Sequence, residues 1–503
     1  MDDGFASRHH TRRHTAFASD IDVLVEKSVA HGRTTTAERI LASPPADLAA
    51  RIASMSLPTL LEGGAQFGEA GRFGHMMAEP ALVFEAIGTR WQVISGRADH
   101  TGWGLDSGLD SPLVALEDLI DRLGLATALP IDNHPSAFAG GLVGYFGYDL
   151  APRIETLPRC RPRDSRLPDI RLALYDTGLT IDHQSGNVNA WSSGFRGETE
   201  STVHERLERF VGALETSSPR EITPPSLGPV VASMTRDDYL AAVRRALEYI
   251  AAGDIFQVNF SQRFESTGCV DPFDLYQRLR RRSPAPFSAY LQWDDLAIVS
   301  ASPEWFYRTD ADGRIITRPI KGTRPRGVND EEDRRLIAEL RASPKDRAEL
   351  TMIVDLERND LGRVCEYGSV CVDDALSVES YAQVHHLVAT VAGRLRAGVG
   401  PIDVARALFP GGSITGAPKI RAMEIIDELE PNRRSAYTGA IGYLGLGGVS
   451  CFNIAIRTML VEGDRVSYQV GGGVVADSIP EAEYQETLDK GRGLRAVIEG
   501  DER

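Results

Sequence analysis

Ile255-Phe-Gln-Val-Asn-Phe-Ser-Gln-Arg-Phe264 alternates between apolar and polar side chains, the period of a strand with one face in a core. A helix leads into it. Thr235 reads as an N-cap with Asp238 at the capping-box position, Tyr239, Val243, Ala246, Leu247 and Ile250 fall on one helical face, and Gly253 ends it. Further strand-like runs come in groups, at 81–87 and 91–95, then at 289–292, 296–300, 305–308 and 315–318, and again at 440–443, 450–460 and 466–470. Helical periodicity appears at 112–123, 200–214, 331–342, 344–358, 402–409, 417–429 and 481–497. Grouped strands without a regular strand–helix–strand rhythm predict an α+β fold with large antiparallel sheets, not a doubly wound parallel one.

Bulk properties narrow the function classes. The 503 residues carry a net charge of −16, so no broad basic face for nucleic acid is expected. No run of 18 apolar residues occurs, and no membrane span is predicted. The N-terminal stretch Arg8-His-His-Thr-Arg-Arg-His14 has no apolar segment of the kind a secretory signal needs. Cys160, Cys269, Cys365, Cys371 and Cys451 are scattered without a CxxC pair, which predicts reduced, buried thiols and a cytoplasmic protein. Residues 1–45 read as an extension without fixed structure, save a short helix near 21–27. Residues 46–215 form an N-terminal region, the Ser/Thr/Pro/Gly-rich 216–234 a linker, and 235–500 a C-terminal domain with the sharper patterning.

Several groups could do chemistry. Lys321, in Arg318-Pro-Ile-Lys-Gly-Thr-Arg-Pro-Arg-Gly327, is presented by a constrained backbone. Desolvation and the cations Arg318, Arg324 and Arg326 would favour its neutral, nucleophilic form. Asp346 and Glu349 share a face near the start of one helix, and Glu483, Glu486 and Lys490 share a face of another. Two such carboxylate pairs could hold a hard cation such as Mg²⁺; a surface Glu486–Lys490 pair fits the same spacing. Gly471, Gly472 and Gly473 follow a strand and would let a carboxylate approach backbone amides, whereas Pro480 and the missing βαβ unit exclude a dinucleotide site. The loop from Pro410 to Lys419 has Ala417 where a Walker lysine would stand, which excludes a phosphate loop. Arg457, on an apolar strand, calls for an anion, either a structural carboxylate or that of a substrate. Glu304, flanked by aromatic bulk, would stay protonated for acid work, and His386 fits a core position as well as a site.

Taken together, these segments resemble the chorismate-utilising enzymes. The segments are Ile255-Phe-Gln-Val-Asn, Ala301-Ser-Pro-Glu, Pro319-Ile-Lys-Gly-Thr-Arg-Pro, Lys345-Asp-Arg-Ala-Glu, Ile353-Val-Asp-Leu-Glu-Arg-Asn-Asp, Val384-His-His-Leu-Val, Phe409-Pro-Gly-Gly-Ser-Ile-Thr-Gly-Ala-Pro-Lys and Glu481-Ala-Glu-Tyr-Gln-Glu-Thr. Within the family, Lys321 is similar to the aminodeoxychorismate synthase branch, whereas anthranilate synthases carry alanine there. The resemblance implies two large twisted antiparallel sheets in a sandwich with peripheral helices, the N- and C-terminal segments interwoven. It implies a Mg²⁺-assisted substitution at C4 of chorismate on the route to p-aminobenzoate and folate. Glu349 and Glu486 would hold the cation with Asp346 and Glu483 close by. Gly322, Thr323, His386, Tyr437, Arg457, Gly471, Gly472, Gly473 and Lys490 would bind the substrate. Glu304 would protonate the departing hydroxyl, and Lys321 would add at C2 before ammonia displaces it. Members that add water carry a lysine base where Gln257 stands. No glutaminase cysteine elbow is present, so the resemblance implies ammonia from a separate glutamine amidotransferase subunit in a heterodimer. Leu60-Leu-Glu-Gly63 resembles the tryptophan-binding segment of anthranilate synthases, with Gly63 in place of its serine. Leu61 and Glu62 would then mark a vestigial tryptophan site. Anthranilate synthase chemistry is the rival reading, and a non-catalytic ligand-binding relative a more distant one.

Overall fold

The computed structural model describes residues 23–500 except 32–33, 42, 97–105, 127–137, 159–160, 196–197, 221–224 and 382–383. Two large antiparallel sheets with helices around them make the fold. The strand opened by the alternating segment runs Gln257–Cys269 and pairs antiparallel with Arg465–Val474, Phe260 opposite Gly472. That pair belongs to the first sheet, which also takes in Thr59–Glu62, Phe287–Trp293, Leu296–Ser302 and Thr458–Glu462. The second sheet contains Ile320–Pro325, Val384–Arg394, Arg314–Arg318, Trp305–Thr309, Ser450–Ile454, Ala440–Gly445 and Gly141–Phe146.

The sheets bury their facing sides against each other. Tyr145 and Ile441 from the second meet Leu291, Ile298 and Leu460 from the first in one apolar cluster. Helices cover the outer faces: Pro45–Ile52, Glu200–Thr216, Pro272–Arg282 and Pro480–Glu499 pack on the first sheet. Pro112–Leu123, Pro344–Gly362, Pro401–Leu408 and Lys419–Leu429 bury Leu116, Leu350, Ile402 and Ile425 in the largest core cluster.

Early and late parts of the chain share both sheets. Gly141–Phe146 lies between Ala440–Gly445 and Ile170–Tyr175, and Thr59–Glu62 pairs with Phe287–Trp293. The 216–234 stretch is no free tether, because Ser226–Leu227 and Val231–Ala232 both pair with Gln257–Cys269. Near the N-terminus, Val23–His31 is a strand paired with Thr34–Leu41, where an unstructured extension and a short helix at 21–27 were expected. Valines at 23, 25 and 29 favour the extended form. The rest of the expected extension, residues 1–22, lies outside the described residues.

Other expectations need correcting. The run 450–460 is two strands, Ser450–Ile454 in the second sheet and Thr458–Glu462 in the first, with Arg457 at a φ of 51° between them. The helix expected from 417 starts at Lys419, because Gly416–Ala417 pairs with the start of Gln257–Cys269 and Pro418 stands at the N-cap. Strands at Cys371–Ser380 and Val384–Arg394 escaped the sequence reading. The first is largely exposed and carries no clean alternation, and the second is buried on both faces. Cys269 and Cys371 are exposed, not buried. Among the described residues no helix is long and apolar enough to cross a membrane.

Candidate active site

The chain crosses between the sheets twice at one place. Leu296–Ser302 of the first sheet passes through Pro303-Glu304 into Trp305–Thr309 of the second. Beside it Ser450–Ile454 of the second passes through Arg457 into Thr458–Glu462 of the first. The crossings are stitched together: Ile454 N donates to the Glu304 carbonyl at 3.1 Å and Ala301 N to the Arg457 carbonyl at 3.1 Å. A cavity of about 440 Å³ opens at this seam. Of the side chains nominated from sequence, Glu304, Lys321, Thr323, Asp346, Glu349, His386, Tyr437, Arg457, Glu483, Glu486 and Lys490 all line it, with Gly322, Gly471 and Gly473.

Lys321 lies on the edge strand Ile320–Pro325, whose pairing with Val384–Arg394 shifts register between Lys321 and Thr323. Gly322 makes that bulge at a φ of 75°, and a Cβ there would strike Asp346 at 2.8 Å. The bulge keeps Lys321 and Thr323 both on the cavity. Burial pulls the Lys321 pKa down, and the Glu304 and Glu349 carboxylates work against that. The three neighbouring arginines have no part in it: Arg318 pairs with Glu379, Arg324 with Glu339 and Asp346, and Arg326 with Asp333.

Glu304 is 6% exposed. Burial raises its pKa, against hydrogen bonds from the Ser413 hydroxyl and the Ile320 amide and the charge of Lys321. Arg457 forms no ion pair among the described residues, and burial lowers its pKa. The structural carboxylate of the first sequence reading is thus not found beside this guanidinium among the described residues. His386 shares a 2.9 Å hydrogen bond with Thr323 through Nδ1, and burial with the nearby Arg457 charge holds its pKa down at about 4, so it is neutral. Tyr437 is buried, which raises its pKa, and it hydrogen-bonds Ser261.

Gly471–Gly473 belong to the Arg465–Val474 strand and face Ser261, Phe260 and Asn259 across the ladder. Their lack of side chains serves close approach. A Cβ on Gly471 would meet the Phe260 carbonyl at 2.5 Å, and one on Gly472 would lie 3.2 Å from oxygens of both Glu483 and Glu486. Lys490 is 2.7 Å from Glu486 and donates to the Gly471 carbonyl at 3.0 Å, so the bland pairing of these two charges is realised inside the cavity.

The carboxylates suit a hard cation. Burial raises the pKa of Glu349 and of Glu483, and the Glu486 charge adds to both. That repulsion is what a divalent ion relieves, and an all-oxygen set with few protein ligands is what Mg²⁺ takes. Among the described residues no three acidic, His or Cys side chains yet come together as one coordination group. Asp346 is engaged by Arg324 at 3.1 Å, Glu483 by Ser478 at 2.6 Å and Glu486 by Lys490 at 2.7 Å, which leaves Glu349, 3.9 Å from Lys345, the least engaged of the four.

Leu61 and Glu62 lie elsewhere, on a second cavity of about 110 Å³ with His75, Ser288, Tyr443 and Asn453. Glu62 is paired with Arg280 at 3.3 Å and accepts from the Tyr276 hydroxyl. Gly63 cannot carry a serine side chain without striking the Gly71 backbone.

Sequence reasoning missed Ser413 and Asn259, which also line the main cavity. Ser413 was within view in the Gly-Gly-Ser loop, but that loop was tested only as a phosphate binder. Asn259 sits in the alternating strand and faces inward with an unpartnered Oδ1.

Comparisons with known proteins bear on the family and the fold. The chorismate binding enzyme family matches residues 101–496. Aminodeoxychorismate synthase component 1 of Escherichia coli (strain K12) is 41% identical over 444 residues, covering 88% of this chain and 93% of that protein. Anthranilate synthase component 1 of Thermus thermophilus is 44% identical over 373 residues, covering 74% of this chain and 80% of that one. Among solved structures, anthranilate synthase component I from Streptococcus pneumoniae superposes with a TM-score of 0.73 at 30% identity, covering 84% of this chain and 92% of that chain. A family match that spans residues 101–496, with relatives at 41% and 44% identity over most of the chain, makes this chain a member of the chorismate-binding enzyme family.

Proposed function

We propose that the chain aminates chorismate at C4 to give 4-amino-4-deoxychorismate. The observation that carries this is Lys321, whose ε-amino group ends in the cavity with Glu304 beside it and burial favouring the neutral amine. A lysine nucleophile and a protonated carboxyl are what replacement of a poor leaving group requires. Arg457, neutral His386 and the Lys490 ammonium hold the substrate's two carboxylates. Glu304 gives its proton to the departing 4-hydroxyl, which leaves as water, while the Lys321 nitrogen bonds to C2 and the ring double bonds shift. Ammonia then bonds to C4 as the C2–N bond to Lys321 breaks. Glu349 and Glu486, with Glu483 and Asp346 behind them, would hold Mg²⁺, which when bound supplies fixed positive charge for the ring carboxylate.

The relatives' naming as component 1 supports a partner. We assign that partner the role of ammonia donor, a glutamine amidotransferase, with the work done in the cytoplasm. The small cavity at Leu61 and Glu62 we assign as a remnant of a tryptophan site.

The test is incubation of the purified chain with chorismate, Mg²⁺ and ammonium, with products resolved by mass spectrometry. Aminodeoxychorismate from the wild type, and its loss in Lys321→Ala, is the expected result. Anthranilate as the main product would assign the chain to the other branch.

A further inference from the structure

The loop Pro410-Gly-Gly-Ser-Ile-Thr-Gly416 was excluded as a phosphate binder and otherwise has no role in the reaction just described. It is nonetheless held with unusual care. Gly411 packs on Ile454 and Phe306, and Gly412 so close to Leu356 that a Cβ would meet it at 2.5 Å. Thr415 Oγ1 donates to the Gly411 carbonyl at 2.9 Å, Asn259 N donates to the Thr415 carbonyl at 2.8 Å, and buried Arg434 donates to the Ile414 carbonyl at 2.9 Å. Ser413, at the centre of this turn, is 4% exposed and faces the cavity. Its two polar ends go to two different reacting groups: the carbonyl accepts from Lys321 Nζ at 3.4 Å and the hydroxyl hydrogen-bonds the Glu304 carboxyl.

We infer that Ser413 is the positioning residue that sets the nucleophile and the acid of this site against each other, aiming the Lys321 lone pair and the Glu304 proton into the same part of the cavity. The inference rests on the amination reading above, in which Lys321 attacks and Glu304 protonates. An amine that donates one N–H to the Ser413 carbonyl turns its lone pair away from that carbonyl, toward open cavity. A carboxyl that already receives the Ser413 hydroxyl and the Ile320 amide has its remaining position for a proton on the cavity side. When that proton leaves, the same two donors remain in place for the new carboxylate, so no reorganisation is needed at that moment. The side chains that also bear on this pair are Lys490, Glu349, Glu486 and Glu357.

Steady-state kinetics with ammonium as donor test this in wild type, Ser413→Ala, Ser413→Thr, Glu304→Gln and the Ser413→Ala/Glu304→Gln double variant. The expected result is a loss of about 10- to 100-fold in kcat for Ser413→Ala with the chorismate KM within about twofold. Ser413→Thr, which keeps the hydroxyl, should recover most of that loss. In the Glu304→Gln background Ser413→Ala should cost little more, because its hydroxyl acts through the missing acid. Wild-type kcat in Ser413→Ala, a KM rise matching the kcat loss, or full additivity with Glu304→Gln would each overturn the inference. Lys321→Ala in the same assay separates the two levels. Turnover that survives it would remove the nucleophile role of Lys321 on which the inference rests, and anthranilate as the product would remove the amination reading, whereas a dead Lys321→Ala beside a fully active Ser413→Ala would remove only the role of Ser413.

Discussion

Arg434 and Glu430 form a buried ion pair at 2.7 Å, their side chains 1% and 3% exposed. Glu430 also accepts from the Ser261 amide at 2.9 Å, and Arg434 donates to the carbonyls of Asn259 at 2.7 Å and Ile414 at 2.9 Å. The pair therefore ties the strand under the cavity to the loop beside it. Arg434→Met alone leaves a buried carboxylate without its cation and should cost about 3–5 kcal/mol in urea unfolding. Pairing it with Glu430→Leu should restore much of the stability. Turnover should stay low in that double variant, since the two carbonyls still lack their donor.

The pH dependence follows from opposite shifts on the reacting pair. Glu304 keeps its proton to higher pH than a free carboxyl, and Lys321 loses its proton at lower pH than a free amine. Measured at constant free ammonia, kcat should fall on the acid side as Lys321 gains a proton and on the alkaline side as Glu304 loses one. Glu304→Gln should abolish the alkaline limb and lower the plateau by about 10²- to 10⁴-fold.

Glu357 offers a stability test independent of turnover. It is buried, accepts from the Thr317 hydroxyl, and burial pushes its pKa up to about 8. From the ordinary carboxylate range up to that value the folded chain holds a proton that the unfolded chain has released. Stability from this group is therefore full at low pH and falls as pH rises through the window, by up to about 5 kcal/mol. Thermal melts of Glu357→Gln between pH 5 and 9 should show a shallower decline than those of the wild type.

Gly63→Ser tests whether the small cavity can be rebuilt. The added side chain would collide with the Gly71 backbone. A loss of about 1–3 kcal/mol in thermal or urea unfolding is expected, with no tryptophan binding gained by calorimetry.

Much of the site was legible because its residues carry their chemistry openly: Lys321 between Pro-Ile and Gly-Thr, and the Glu483, Glu486 and Lys490 spacing on one helix face. The fold class was legible from grouped strands around the alternating segment at 255–264. Arg457 was misread as a residue within one strand, because its left-handed backbone leaves the apolar pattern on either side continuous. Of the two causes expected to lower the Lys321 pKa, burial is the one the structure shows, and the arginines were misjudged. Local arginines are visible in sequence, whereas their pairing with Glu379, Glu339, Asp346 and Asp333 is a product of tertiary packing. Ser413 stayed hidden since half of its contribution comes from a backbone carbonyl, which no side-chain pattern reports.

The seam that carries Glu304 and Arg457 divides the lining of the cavity between the two sheets. Lys321, Thr323 and His386 ride on one sheet and Gly471, Gly473 and Gln469 on the other, and the crossings join the two. The gap between Lys321 and the Gly471–Gly473 strand is therefore fixed by how the two sheets pack in their shared core. Substitutions at Tyr145, Ile441, Leu291, Ile298 or Leu460 thus reach the width of the cavity from a distance, while every residue of its lining stays the same.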